Sequence, residues 1–219
     1  VSARRPTERD RRRRELGQNF LADRRLVEQF VDGLDLHPGE LVVDLGAGSG
    51  ALTRSLLAAG VRVWAVEVDP TWVDRLRSGV GAESADVRVI AADLRTVRMP
   101  REPYRVVANP PFALATATLA KLLDRPERGP ERADLILQKE VAIKLARQPP
   151  ASLRTAAWAP WWEFRLGRTI GRNAFRPRPS VDAAVVTVVR RDPSVFPTWL
   201  GPRLRELLRP AWTNQQPNA

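Results

Sequence analysis

Cysteine is absent from the 219 residues, and histidine occurs once, as His37. Without thiols there are no disulfide staples, no thiolate nucleophile and no zinc ribbon, which suits a reducing cytoplasm and sets the expectation of a cytoplasmic protein. The one imidazole lies beside Pro38 and Gly39 in an expected turn. A Ser-His-Asp hydrolase and a multi-histidine metal centre therefore lose their main actors, and no metal is expected. Lysine is scarce too: Lys121, Lys139 and Lys144 are the whole set. No apolar run approaches the length of a bilayer span, so no membrane segment is expected. The N-terminus is rich in arginine with no apolar stretch after it, unlike a secretory signal. The chemistry left to such a chain runs on carboxylates, amides, backbone groups and a borrowed cofactor.

Arginine is what the chain has in abundance. Lys and Arg number 36 against 25 acids, a net charge of +11. A solvated surface with an arginine bias carries such an excess, and so does a protein that meets a polyanion. The guanidinium fork pairs bidentately with phosphate and stacks on bases, which points to nucleic acid.

The length holds one α/β domain and a short appendage. Residues 1–14 read as a basic flexible arm, with Arg4, Arg5, Arg9 and Arg11 through Arg14. A helical pattern through Leu26, Val27, Phe30, Val31 and Leu34 follows. Short apolar strands are expected at 41–45, 61–66, 87–91, 104–108 and 135–137, with helices at 51–59, through Trp72 to Leu76, at 115–123 and at 141–146. This alternation is that of a doubly wound, mostly parallel sheet of Rossmann-like type. Residues 149–161, rich in Pro and Trp, give no clear pattern. Two β-rich runs, 164–170 and 181–189, are expected as an antiparallel pair at the end of the sheet. The expected main domain is 15–190. Only a helical stretch at 204–208 follows Arg191, so 191–219 is expected as a short or truncated helical C-terminal region.

Asp44-Leu45-Gly46-Ala47-Gly48-Ser49-Gly50 is a glycine-rich turn between a buried strand and a helix, where a ligand can approach the backbone closely. Dinucleotide folds use a similar device. Here the spacing is tighter than Gly-x-Gly-x-x-Gly, and acids recur at the ends of the next two strands, Glu67 and Asp93. That combination favours S-adenosylmethionine. Glu67 would grip the ribose hydroxyls and Asp93 would accept from the adenine amine. Each acid taken alone, Asp44 included, is as readily a strand terminus or a helix cap.

Asn109-Pro110-Pro111-Phe112 closes the fourth strand. An exocyclic adenine amine is a poor nucleophile because its lone pair is delocalised into the ring. The Asn109 amide oxygen and the Pro110 carbonyl can each accept one N–H, which turns the lone pair toward an incoming methyl. Phe112 offers a stacking face. Since extruding a base costs a few kcal/mol and one aromatic returns about 1–3, a second ring is wanted. Phe175 is the candidate, with ordinary core packing the alternative.

Taken together, these residues resemble the rRNA adenine N6-methyltransferases, most closely the Erm (erythromycin-resistance) branch. Gly17-Gln18-Asn19-Phe20-Leu21, Asp44 to Gly50, Asn109 to Phe112, Gln138 to Ala142 and Phe175 to Asp182 carry the resemblance, which spans about residues 15–191. It implies a seven-stranded methyltransferase sheet. It implies that Asn19, Leu21, Gly46, Gly48, Glu67, Asp93 and Asn109 line an S-adenosylmethionine site. Asn109, Pro110 and Phe112 would be catalytic, with Phe175 flanking the base. The implied partner is 23S rRNA, free or in pre-ribosomal particles, with the chain acting as a monomer. Methylation of one adenine near the peptide tunnel would confer macrolide, lincosamide and streptogramin B resistance. A KsgA-type small-subunit enzyme is the nearest alternative, but its tetrapeptide usually reads Asn-Leu-Pro-Tyr. The Gly17 to Leu21 segment argues against a DNA adenine methyltransferase. An intact Asn109 and glycine turn argue against a non-catalytic nucleic-acid-binding protein.

Overall fold

A computed structural model describes residues 19–213. The basic arm at 1–14, together with Gly17 and Gln18, lies outside the described residues. Seven strands form one sheet: β2 (Leu41–Leu45), β3 (Arg62–Glu67), β4 (Val87–Ala91), β5 (Arg105–Ala108), β6 (Arg132–Gln138), β7 (Trp162–Ile170) and β9 (Ala183–Arg190). Their spatial order is β4-β3-β2-β5-β6-β9-β7. The first five in that order are parallel, and β9 runs antiparallel to both β6 and β7. The sheet is the doubly wound, mostly parallel one the sequence implies.

Helices cover both faces, and the alternation of side chains along each strand decides which face receives what. Leu41, Val43 and Leu45 of β2 pack in one core with Leu119 and Leu122 of α5 (Ala115–Leu123). Val42 points the other way, to Phe30 of α1 (Arg24–Asp32) and to Leu52 and Leu56 of α2 (Ala51–Ala58). All five β2 residues are buried, as a central parallel strand requires. After β2 the chain moves outward through α3 (Pro70–Ser78), the short α4 (Val80–Glu83) and β4. It then returns to β5 on the opposite side of β2. The direction of winding thus reverses between β2 and β5. Ligands in open α/β sheets bind at the carboxyl ends of strands at such a switch point.

Two segments were obscure in sequence for identifiable reasons. Strand β6 extends beyond 135–137 to Arg132 because its polar residues are paired. Asp134, fully buried, accepts from Thr187 Oγ1 at 2.7 Å and from Arg132 Nη2 at 3.0 Å. Arg105 Nη2 lies 3.5 Å from its Oδ2. Arg132 Nε is 2.9 Å from that oxygen but off the line of a hydrogen bond, a contact of charge only. The Pro/Trp-rich stretch holds α7 (Leu153–Trp158), capped by Ser152 with Thr155 and preceded by α6 (Lys139–Ala146). Its tryptophans, and Trp162 at the start of β7, belong to the core, each with an indole partner: Trp158 to Asp124 Oδ1, Trp161 to the Phe196 carbonyl and Trp162 to the Leu123 carbonyl. The C-terminal helix α8 (Gly201–Thr213) is longer than the expected 204–208 and packs on α7.

A small second sheet lay below the length at which sequence periodicity registers. Strand β1 (Phe20–Leu21) pairs antiparallel with β8 (Phe175–Arg176), Phe20 opposite Arg176 and Leu21 opposite Phe175. It lays residues 19–22 as a strap across the carboxyl end of the main sheet.

Candidate active site

Four strand ends build the site. At the tip of β2, Gly46 and Gly48 adopt positive φ, +81° and +51°. Gly46 and Ala47 both donate to the Val66 carbonyl of β3, at 2.9 and 3.0 Å, which closes the turn. The reason for glycine at 48 is the strap: a Cβ there would run into the edge of the Phe20 ring. Phe20 in turn lies against Trp72 of α3, with ring centroids 5.0 Å apart, and the Arg75 guanidinium covers Trp72.

Asp44, next to last in β2, has 1% of its surface exposed. Oδ2 accepts from Thr53 Oγ1 at 2.7 Å, and Oδ1 has no partner. Burial pushes its pKa up to about 7; the nearby Glu67 adds to the rise and the Thr53 hydroxyl opposes it. An orphaned acceptor oxygen in a near-dry wall is a place for a cationic donor.

Glu67, at the tip of β3, is buried but not orphaned. Oε2 accepts from Gly48 N at 2.8 Å, and Oε1 from Val68 N and Asp69 N at 2.8 and 2.9 Å. A carboxylate has about four lone-pair directions, so one remains, on Oε2. One ribose hydroxyl can dock there without disturbing the turn. A grip on both hydroxyls would require a backbone donor to let go, which narrows the expectation for this residue.

After β4, Asp93 is tied to Arg95, whose guanidinium and main-chain N–H both bond its carboxylate. Arg95 beside it holds the Asp93 pKa below the usual carboxylate range.

Asn109 follows β5. Its Nδ2 donates to the Asn19 backbone carbonyl at 2.8 Å, and its Oδ1, buried, has no partner. The strap therefore decides which way the carboxamide faces. Among the residues the sequence singled out, Asn19, Leu21, Gly46, Glu67, Asp93 and Asn109 line one cavity of about 350 Å³, within the usual range for a small-molecule site. Phe20, Asp44, Leu94 and Arg95 line it too and were missed as site residues. Asp44 and Phe20 stood inside the motifs quoted, whereas no sequence signal pointed to Arg95.

Four candidates lie off the cavity wall. Gly48 spends its N–H on Glu67 and its open face on Phe20. Pro110 and Phe112 do not line the cavity, whereas Pro111 between them does. Phe175 is fully buried and meets the half-buried Phe112 edge-on, centroids 6.1 Å apart. The expectation that Phe175 presents a face to a base is not met by this arrangement; the core-packing alternative describes it. Phe175 packs with Leu21, its β1 partner, in the core beneath the strap. No group of metal-ligating side chains occurs among the described residues.

The profile of the family described as Ribosomal RNA adenine dimethylase matches residues 9–216. An rRNA methyltransferase of Streptomyces thermotolerans is 38% identical over 211 residues, 95% of this chain and 69% of that protein. The mycinamicin-resistance protein MyrB of Micromonospora griseorubida is 38% identical over 183 residues, 82% of this chain and 56% of its own. The crystal structure of the 23S rRNA methyltransferase ErmE superposes with a TM-score of 0.79 at 28% identity, covering 91% of this chain and 81% of that one. The chain belongs to the ribosomal RNA adenine dimethylase family and is an enzyme of the rRNA adenine N6-methyltransferase kind.

Proposed function

We propose that this enzyme transfers methyl from S-adenosylmethionine to N6 of a specific adenine of 23S rRNA and thereby confers macrolide-type resistance. The observation that carries the reading is the Asn109 carboxamide, anchored through Nδ2 to the Asn19 carbonyl with Oδ1 free to accept.

The residues fit this cofactor. The unpartnered Asp44 Oδ1 suits its ammonium, the open direction on Glu67 suits a ribose hydroxyl, and Asp93 suits the adenine amine. When bound, the cofactor supplies an electrophilic methyl group on a sulfonium. This chain's part is positioning. Asn109 Oδ1 takes one N6–H and the Pro110 carbonyl the other, which draws the nitrogen out of conjugation with its lone pair toward the methyl. The two prolines stiffen the corner, and Phe112 supports the base. Phe175 acts from below, holding Phe112 through their edge contact.

The partner reading rests on charge and on relatives. Arg172, Arg176 and Arg178 lie exposed on the stretch between β7 and β9. The guanidinia of Arg172 and Arg176 are held by backbone carbonyls. Such groups keep their full charge for phosphate. MyrB and ErmE, by their names, link the 23S target and resistance to relatives of this chain. We take the enzyme to act as a monomer. No described helix is long and apolar enough to cross a membrane; we place the enzyme in the cytoplasm with its rRNA.

Transfer of labelled methyl to isolated 23S rRNA, 16S rRNA and DNA, side by side, tests the reading. Label in N6-methylated adenine of 23S rRNA is expected, and selective labelling of either rival polymer refutes it.

A further inference from the structure

Arg95 holds Asp93 through three donors. Its main-chain N–H reaches Oδ1 at 2.8 Å, its Nε–H lies 3.0 Å from Oδ1 and 2.9 Å from Oδ2, and Nη2 donates to Oδ2. Both residues line the cavity. Three hydrogens thus converge on a group with about four lone-pair directions. The guanidinium bonds are charge-assisted and stronger than any a neutral purine amine can make in their place. The Arg95 side chain is 59% exposed, however, so water can take over its donors and the clasp is reversible.

We propose that Arg95 is an internal competitor for the cofactor's adenine: its guanidinium occupies the carboxylate that the purine's exocyclic amine needs, and loading requires it to swing outward. The proposal rests on the reading of the cavity as the S-adenosylmethionine site with Asp93 as the adenine acceptor. Arg95 is then a positioning residue that acts through Asp93. It lowers affinity for cofactor and for demethylated product alike.

Calorimetric titration of the full chain tests this, with wild type, Arg95→Gln, Arg95→Lys, Asp93→Asn and the Arg95→Gln/Asp93→Asn double variant. Two ligands are compared: S-adenosylhomocysteine, and S-inosylhomocysteine, in which a carbonyl oxygen replaces the amine. Thermal melting checks that each variant is folded. Arg95→Gln should bind S-adenosylhomocysteine about two- to fivefold more tightly than wild type, with Arg95→Lys in between. The gain should vanish with S-inosylhomocysteine and in the Asp93→Asn background. Added salt should tighten S-adenosylhomocysteine binding in wild type by screening the ion pair, and not in Arg95→Gln. Unchanged or weaker binding by Arg95→Gln overturns the proposal, as does an equal gain with the inosine ligand. A folded wild-type protein that binds no S-adenosylhomocysteine instead overturns the cavity reading, and the proposal with it.

Discussion

The Asn109 carboxamide donates to the backbone carbonyl of Asn19 at 2.8 Å, across 90 residues of sequence. A main-chain oxygen accepts and cannot donate, so this bond fixes the amide's orientation and leaves the buried Oδ1 as the unpartnered acceptor. Asn109→Asp keeps that acceptor but turns a second oxygen on the Asn19 carbonyl. The missing hydrogen can then come only from a protonated carboxyl. The variant should lose roughly 100-fold or more in transfer rate at pH 8 and regain part of it as pH falls. A pH–rate profile of Asn109→Asp against wild type checks this; parallel profiles contradict it.

Asp44 gives the folded protein a pH signature. Its pKa is raised to about 7 from 3.8, first by burial and then by Glu67, so between those values the folded state holds a proton the unfolded state has released. Stability from this group is full below the unfolded pKa and is lost as pH rises through about 7, with a slope of about 1.4 kcal/mol per pH unit inside the window. Asp44→Asn should flatten that slope in urea denaturation series from pH 4 to 8. It should also weaken binding of S-adenosylmethionine above pH 7, where the ionised wild-type carboxylate attracts a cation.

Gly48 joins the glycine turn to the strap. Gly48→Ala meets both the positive φ and the Phe20 ring. A loss of about 1–3 kcal/mol in stability is expected, with S-adenosylhomocysteine affinity falling by about tenfold as Phe20 is displaced. Phe20→Ala in the same chain should return part of the stability by removing the steric conflict while leaving the backbone strain. Thermal melts and titrations of the single and double variants read this directly.

The fold was legible in sequence wherever periodicity had room to act. Strand 87–91 and helix 115–123 stand at the expected residues: the helix buries Ala115, Thr118, Leu119, Leu122 and Leu123 at helical spacing, and the strand is a short β-branched run. Residues 132–134 hid because a charged strand end is readable only when its partners, here Arg105 and Thr187, are known to be adjacent. The site was legible as motifs and illegible as contacts. The glycine turn and Asn109 could be named, yet the clasp of Arg95 on Asp93 and the sealing of Phe175 beneath the strap arise from tertiary packing, which local spacing does not encode.

At the opposite end of the sheet, Asp134 tests separability of stability and site. Asp134→Leu leaves Arg105 and Arg132 without their shared carboxylate, and about 3–5 kcal/mol of stability should go. S-adenosylhomocysteine affinity, measured well below the lowered melting temperature, should stay within about twofold of wild type. A large loss of affinity in folded protein would show that the two ends are coupled.

The most direct measurement is single-turnover methyl transfer to 23S rRNA by Asn109→Ala, with S-adenosylhomocysteine affinity determined on the same preparation. Removal of one preorganised acceptor predicts a rate lower by roughly 100- to 1,000-fold, while the ligand still binds through Asp44, Glu67 and Asp93. Turnover close to wild type would contradict the claim that this carboxamide directs the nucleophile.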